Sequence, residues 1–211
     1  MRATQEKCNY NVFDRISGYL DLNPFGSDKM EHLYSGYSVE KITEVLNETY
    51  PGLSMYVRDV NLPQTLVQKY TPGQIICERG FTDASCRVMG MATTFRYAIL
   101  SNHMVSLGEY EHGTNWGLFV AQRSSHFKVI GKTEYHGKTA LFLLHLPNDD
   151  SWKMFQDITL DKDNEILSSC ITRFRDKCEQ PPIPELATDN WLDRCKNPLE
   201  MDENGVFFNL E

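Results

Sequence analysis

Polar side chains that could take part in binding or catalysis occur at three places in the middle of this 211-residue chain. Arg58 ends an apolar run, Ser85 closes a segment rich in hydroxyl groups, and Glu109 and Glu111 form an E-x-E pair. A guanidinium can bind two phosphate oxygens at once, and a carboxylate can stabilise developing positive charge or accept a proton. Whether these groups act together depends on the elements that carry them.

Other common catalytic and metal-binding patterns are missing from the sequence. It has no P-loop and no G-x-G-x-x-G run. Six cysteines are too few for a disulfide scaffold, and Cys170 and Cys178 do not have a zinc-site spacing. No two histidines lie four residues apart, and the acidic run 161–165 is followed by Ile166 where a calcium loop needs glycine. We therefore expect reduced or buried thiols, no metal and no cysteine-protease chemistry.

The composition is that of a folded, acidic protein. Lys and Arg total 21 against 29 Asp and Glu, a net charge of −8, which argues against nucleic-acid binding and against an anionic-lipid sensor. The first twenty residues lack the apolar stretch of a cleavable signal peptide, and runs such as Ala140–Leu144 are too short to span a bilayer. We expect a soluble protein with no membrane insertion. It would be cytoplasmic or delivered by a specialised secretion system.

Hydrophobic periodicity predicts helices first and strands afterwards. Phe13, Ile16 and Leu20 have helical spacing, and Ser38 is a predicted N-cap for a second helix that ends at Pro51-Gly52. Further segments are predicted as strands, the last two as a hairpin: Leu53–Val57, Gln74–Cys77, Tyr97–Leu100, Gly117–Ala121, His126–Gly131 and Lys138–Leu146.

This order predicts an α+β fold. We expect residues 1–52 to be a helical region of the same domain and 53–146 to form a β core. Residues 147–211 would be an extension with a helix over Ile166–Lys177, a Pro-rich spacer and a short amphipathic piece at Trp191–Cys195.

Three segments between Leu53 and Leu146 carry a family resemblance. The first is Met55-Tyr56-Val57-Arg58-Asp59-Val60, a strand that ends near an arginine. The second joins Tyr70-Thr71-Pro72-Gly73-Gln74-Ile75-Ile76 to Gly80-Phe81-Thr82-Asp83-Ala84-Ser85. The third joins 119–131 to Leu141–Leu146. In this order they resemble the arginine–serine–glutamate class of mono-ADP-ribosyltransferases, the fold of clostridial binary toxins and vertebrate ecto-enzymes.

The resemblance implies a β-sandwich-like core of two small antiparallel or mixed sheets, with the N-terminal helices packed on it. It implies NAD⁺ as co-substrate and no metal. Arg58 would clamp the phosphates of NAD⁺, the segment from Phe81 through Thr82 to Ser85 would line the ribose side, and Phe95 would stack on the nicotinamide. The acceptor would be a side chain of a target protein.

The expected catalytic glutamate is the main departure from the family pattern. Counting back from Phe127 places it at Leu118, and two residues earlier stands Trp116. The E-x-E pair Glu109/Glu111 lies seven residues too early, and residues 113–115 would be a loop insertion that restores its position. Alternatively Asp83, where the family has the first serine of its serine–threonine–serine run, supplies the charge. The third alternative is that catalysis has been lost.

These alternatives lead to different functions. The resemblance implies an NAD⁺-dependent protein mono-ADP-ribosyltransferase, a bacterial toxin or injected effector that modifies a protein in another cell. With a lost site, the same fold would serve as a protein-interaction module. A third reading is an unrelated α+β protein with coincidental matches.

Overall fold

The computed structural model describes residues 37–156, 161–202 and 204–210. The predicted helix through Phe13, Ile16 and Leu20 lies outside these residues. The α-helices are α1 (Val39–Thr49), α2 (Gln64–Val67), α3 (Asp161–Cys178) and α4 (Asp189–Cys195), and 3-10 helices cover Gly108–Tyr110, Asp150–Phe155 and Pro184–Ala187. The strands are β1 (Ser54–Val60), β2 (Ile75–Glu78), β3 (Thr82–Ser85), β4 (Phe95–Ser101), β5 (Val105–Ser106), β6 (Leu118–Ala121), β7 (Ser125–Tyr135) and β8 (Lys138–His145).

Helix α1 begins and ends where the sequence predicts. The Ser38 hydroxyl accepts a hydrogen bond from the backbone N–H of Lys41 at 3.3 Å, so it caps the helix as predicted. Ile42, Val45 and Leu46 are buried on the side that faces the core. After the helix, Gly52 adopts a φ of 73°, which glycine tolerates without strain.

The strands are hydrogen-bonded in the order β2-β7-β8-β4-β1-β3-β6-β5. Among the described pairs only β4 with β8 is parallel, and the others are antiparallel. The predicted α+β class is confirmed. The eight described strands form one continuous sheet, whereas the resemblance implied two small sheets.

The predicted hairpin is present as β7 and β8. His136 and Gly137 form its tip with φ values of 49° and 71°, the conformation of a two-residue turn that matches the twist of the strands. β7 is longer than predicted at both ends. Ser125 pairs with Glu78 of β2, and the turn-side half pairs residue by residue with β8 from Gly131–Phe142 to Tyr135–Lys138.

The pairing between β1 and β3 is the shortest in the sheet. β1 pairs with β4 along its whole length, from Ser54–Ser101 to Val60–Phe95. With β3 it has the single register pair Val57–Ser85. The sheet therefore divides into a five-stranded half (β2-β7-β8-β4-β1) and a three-stranded half (β3-β6-β5), and the two implied sheets correspond to these halves.

Three hydrophobic clusters hold the elements together. On one face of the five-stranded half, strand residues such as Phe142 pack against α1, α3 and the 3-10 helix at Asp150–Phe155. On the other face, Tyr70, Tyr97 and Phe127 pack with the C-terminal residues Leu199 and Met201. The third cluster joins β6 to the segment around α4: Leu118, Val120, Leu186, Trp191 and Cys195.

Candidate active site

Arg58 lies in the fork that opens where β1 and β3 separate. Its backbone belongs to β1, directly after the pair Val57–Ser85, and its side chain is buried, with 5% of the residue exposed. The guanidinium donates to the carbonyl oxygen of Asp83 and to that of Asn197, each at 3.3 Å. Its Nε has no hydrogen-bond partner among the described residues. The guanidinium is therefore held by backbone oxygens and retains a donor that is not used.

Ser85 is the point where three strands meet. It pairs with Val57 of β1 and with Leu118 of β6 at the same level of the sheet. Its hydroxyl donates to the carbonyl oxygen of Trp116 at 2.6 Å and accepts from the backbone N–H of Arg87 at 2.9 Å. The side chain is fully buried. The predicted serine thus lies one residue out of register with the β1 arginine, at the junction of the two half-sheets. Because side chains alternate along a strand, Ser85 is on the face of Val57 and Arg58 is on the opposite face.

The Glu111 carboxylate contacts the backbone of Leu118, the residue to which the family pattern assigns the glutamate. Its carboxylate accepts hydrogen bonds from the backbone N–H groups of Trp116 and Leu118 and, at 3.3 Å, from the hydroxyl of Thr114. The loop between residues 111 and 118 folds back on itself, because one carboxylate satisfies the amides at its far end. A carboxylate therefore lies at the Leu118 backbone, although Leu118 itself is buried and apolar.

Gly117 allows this loop to pass close to β3. Its φ is 63°, and a Cβ at this position would lie 2.9 Å from the Cys86 sulfur and from Cγ of Arg87. The residue after β3 and the residue before β6 are also joined by a hydrogen bond from Cys86 N–H to the Gly117 carbonyl oxygen at 2.9 Å. The loop is thus fixed against the strand that carries Ser85.

The other two candidate carboxylates are placed differently. Asp83 forms a bidentate pair with Arg194 of α4, with Nε–Oδ2 at 2.7 Å and Nη2–Oδ1 at 3.2 Å. Glu109 lies in the exposed 3-10 helix Gly108–Tyr110. Glu111, and not Glu109, is the member of the E-x-E pair that contacts the loop beside Ser85.

The three remaining predicted binding residues have contrasting environments. Phe81 is 64% exposed, beside the start of β3. Thr82 is fully buried, and its hydroxyl has no hydrogen-bond partner in the described part of the chain. Phe95 is 1% exposed and packs edge-on against Tyr97 at 4.9 Å between ring centroids. Because Phe95 is a core residue, a nicotinamide ring cannot stack on it in this arrangement.

Sequence reasoning missed the C-terminal residues that cover Arg58. The Tyr70 hydroxyl donates to the Leu199 carbonyl oxygen at 2.7 Å and lies 2.8 Å from the Tyr97 hydroxyl, which accepts from the Leu199 N–H at 3.1 Å. Glu200 follows and is completely buried. The one residue of this contact that lies in a predicted strand is Tyr97, and it is the β4 register partner of Arg58. No sequence pattern marks Asn197 or Glu200.

Burial favours the protonated, neutral forms of the acidic groups near Arg58. It raises the pKa of Glu200 well above the ordinary value of 4.5, and the nearby Glu78 carboxylate raises it further. Burial also raises the pKa of the Tyr97 hydroxyl and, to about 11, that of the Cys195 thiol. In the described ranges, no group of three or more His, Cys, Asp or Glu side chains could hold a metal ion.

Comparisons with known proteins give matches at the level of structure alone. No protein-family model and no curated protein sequence matches the chain. The type III effector XopAI from Xanthomonas axonopodis pv. citri is 14% identical over 48% of this chain and 44% of its own, with a TM-score of 0.39. The ADP-ribosyltransferase HopU1 of Pseudomonas syringae pv. tomato is 14% identical over 44% and 45%, with a TM-score of 0.39.

A third similar structure is the Vis toxin, an ADP-ribosyltransferase from Vibrio splendidus. It is 12% identical over 46% of this chain and 49% of its own, with a TM-score of 0.37. The chain spans less than half of the length of these three proteins. ADP-ribosyltransferase, the class that the sequence resembles, is thus also the class named for two of these similar structures.

Proposed function

We propose that this protein is an NAD⁺-dependent mono-ADP-ribosyltransferase of the toxin or effector type. The observation that carries the proposal is the position of the Glu111 carboxylate at the backbone amides of Trp116 and Leu118. The same Trp116 accepts the hydrogen bond of Ser85, and Ser85 pairs with the β1 residue next to Arg58. The residues that carry a guanidinium, a hydroxyl and a carboxylate therefore belong to backbone segments that meet at one strand junction.

Each of the three groups would have a distinct part in the reaction. Arg58 would bind the diphosphate of NAD⁺ through its guanidinium, which can contact two oxygens at once. Ser85 would hold the nicotinamide ribose. Glu111 would stabilise the positive charge that develops on the ribose as the bond from C1′ to the nicotinamide nitrogen breaks.

The bond changes balance without a further reactant. Nicotinamide leaves with the bonding electron pair as a neutral molecule. The acceptor side chain of the target protein then forms a bond to C1′ and releases one proton, which the Glu111 carboxylate can accept. No redox partner is needed, and no described side-chain cluster would supply a metal.

Three features of the same site support a second candidate, a non-catalytic interaction module. Leu118 is buried where the family has its glutamate, the Ser85 hydroxyl is engaged by the backbone, and the Glu111 carboxylate has backbone partners on both oxygens. In that case the junction would be purely structural, and the protein would act by binding its target.

Delivery into another cell is part of the proposal for the toxin or effector type. Among the described residues, the structure contains no helix that is both long enough and apolar enough to cross a membrane. The target would be a protein met after delivery, and the acceptor residue would have to be found by experiment.

The test is transfer of labelled ADP-ribose from NAD⁺ to proteins of a cell lysate. We expect the wild type to label a protein band and Arg58→Ala to lose the label. Glu111→Gln should lower the initial rate roughly 100- to 1,000-fold, as is typical when a group that stabilises transition-state charge is removed. Glu134→Gln is the matched control, because Glu134 is exposed at the end of β7 and should leave the rate unchanged.

The outcomes separate the two candidates. Labelling that survives both Arg58→Ala and Glu111→Gln would contradict this site. A protein that folds, binds a partner and never labels it would support the interaction module instead.

A further inference from the structure

The C-terminal residues after α4 form a strap over Arg58. We use "C-terminal strap" for residues 197–202 and 204–208. It begins with Asn197, whose carbonyl oxygen accepts from Arg58, and it turns back on itself with Met201 paired to Phe207. The backbone N–H of Phe208 donates to the Glu200 carbonyl oxygen at 3.0 Å. The strap is thus a small hairpin whose first residue contacts the proposed phosphate clamp.

Apolar burial and tyrosine hydroxyls keep the strap in place. Leu199 and Met201 are 2% and 5% exposed and belong to the same cluster as Tyr70 and Tyr97. Both backbone polar groups of Leu199 are bonded to these two tyrosines. In α4, which precedes the strap, Arg194 pairs with Asp83 at 2.7 Å. The strap itself is therefore held by Tyr70 and Tyr97, and the helix that precedes it is anchored to β3.

One residue of the strap, Glu200, nevertheless lies in an unfavourable environment. Glu200 has a φ of 66°, which costs energy for a non-glycine residue. Its side chain is completely buried, and neither carboxylate oxygen has a hydrogen-bond partner in the described ranges. Its backbone N–H donates to the Glu78 carboxylate at 2.6 Å, so a second acid lies close by. A buried polar group without a partner costs about 1–3 kcal/mol.

A second buried arginine, Arg96, has a carboxylate partner and more hydrogen bonds than Arg58. Arg96 is 3% exposed and makes a bidentate pair with Asp59, at 2.6 and 2.8 Å. Two further donors bond to the carbonyl oxygens of Met89 and Gly90. Arg58 has two carbonyl contacts at 3.3 Å, an unused Nε and, within the described residues, no carboxylate in ion-pair distance. Arg96 is paired as a structural residue, whereas Arg58 retains capacity for an anion.

We infer that the C-terminal strap is an autoinhibitory element that occupies the anion site at Arg58 and must lift before a diphosphate can bind there. The inference rests on the proposed function for the identity of that diphosphate as part of NAD⁺. The Asn197 carbonyl oxygen takes the place of a phosphate oxygen. Lifting the strap frees the guanidinium and releases Glu200 to water, while α4 stays packed through Trp191.

The strap can be tested without NAD⁺, by the rate at which phenylglyoxal modifies individual arginines, read by peptide mass spectrometry. Arg96 is the internal control for global unfolding, and exposed Arg123 gives the rate of an open arginine. In the wild type we expect slow modification of both Arg58 and Arg96. Leu199→Ala weakens the strap and should speed modification of Arg58 about 5- to 30-fold, the change that one to two kcal/mol gives, with Arg96 unchanged.

Two further variants keep the test independent of a single core substitution. Arg194→Ala removes a partly exposed anchor and should raise the Arg58 rate by a smaller factor. Glu200→Gln removes the buried carboxylate and should lower it. Leu210→Ala, beyond the strap and partly exposed, is the control and should change nothing. If Arg58 and Arg96 always change in parallel, or if Arg58 in the wild type is as reactive as Arg123, the strap inference is wrong.

Adding NAD⁺ to the same reactions separates the inference from the proposed function. If both are right, NAD⁺ protects Arg58 in Leu199→Ala and does so more weakly in the wild type. If the strap controls Arg58 reactivity but NAD⁺ never protects it, the strap inference stands and the proposed co-substrate is wrong.

Discussion

Glu200 gives the strap a dependence on pH, because its carboxyl group is buried without a hydrogen-bond partner among the described residues. The titratable groups that face it are the Glu78 carboxylate and the hydroxyls of Tyr70 and Tyr97. Burial, with Glu78, raises the pKa of Glu200 well above 4.5. The folded protein therefore holds this proton more tightly than the unfolded chain does. The corresponding stability is complete below pH 4.5 and is lost as the pH rises through the raised pKa.

We expect Glu200→Gln to remove this loss, since glutamine stays neutral. At pH 4 the variant and the wild type should have similar free energies of unfolding. At higher pH the variant should become the more stable, by about 1.4 kcal/mol for each pH unit until the pKa in the folded protein is passed. Urea unfolding at pH 4, 5, 6 and 7 measures the difference, and Glu134→Gln serves as the exposed control. A difference that does not depend on pH would show that Glu200 is not buried as a neutral acid.

The strands that the sequence predicts well are those whose own residues specify them. β7 and β8 combine strongly β-forming segments with a turn that contains Gly137, so local pattern was sufficient. β5 has two residues, and β3 is a four-residue strand with an acid in it, so neither carries a periodic signal. β3 was found only through the family resemblance.

The candidate site was predictable in part, for a related physical reason. Arg58 and Ser85 lie on neighbouring strands, and the register pair Val57–Ser85 places their backbones one residue apart. The 111–118 loop folds back because the Glu111 carboxylate accepts hydrogen bonds from backbone amides. No residue pattern predicts such bonds. The same holds for the strap, since its place depends on distant tyrosines.

At the scale of elements, Gly90 permits the close passage of two chain segments. It forms a parallel bridge with Pro182, and a Cβ at Gly90 would lie 1.9 Å from the Gln180 carbonyl oxygen. The contact is between backbones, so no side chain can rotate away. We expect Gly90→Ala to displace the segment that leads from α3 to α4, with a loss of about 1–3 kcal/mol, as is typical of overpacking.

The matched control for this substitution is Gly108→Ala. A Cβ there would lie an ordinary 3.7 Å from the Ser106 hydroxyl oxygen, and the backbone is not left-handed. Its effect should stay within about 1 kcal/mol in either direction. Thermal unfolding of both variants decides the matter, and equal melting temperatures would contradict the close approach at Gly90.

At the scale of the whole molecule, the two half-sheets depend on the C-terminal segment. β1 and β3 share a single register pair, which is a small contact for two parts of one sheet. The segment from Leu186 to Met201 contacts both halves: Trp191 and Cys195 pack on β6, Arg194 pairs with β3, and the strap residues pack against Tyr70 and Tyr97. This segment therefore supplies much of the connection that the strands lack.

Trp191 is the central residue of that connection, so Trp191→Ala should uncouple the halves. Trp191 is 1% exposed and lies 5.3 Å from Trp116, ring centroid to ring centroid. We expect the free energies of amide exchange in β3 and β6 to fall by about 3–5 kcal/mol, while those in β7 and β8 fall by less. Trp152→Ala is the matched control, because Trp152 is equally large, 4% exposed and packed on the five-stranded half. It should lower the exchange free energies of β7 and β8 at least as much as those of β3 and β6. If Trp191→Ala lowers protection equally in all strands, the molecule unfolds as one unit and the C-terminal segment is not the connection between its halves.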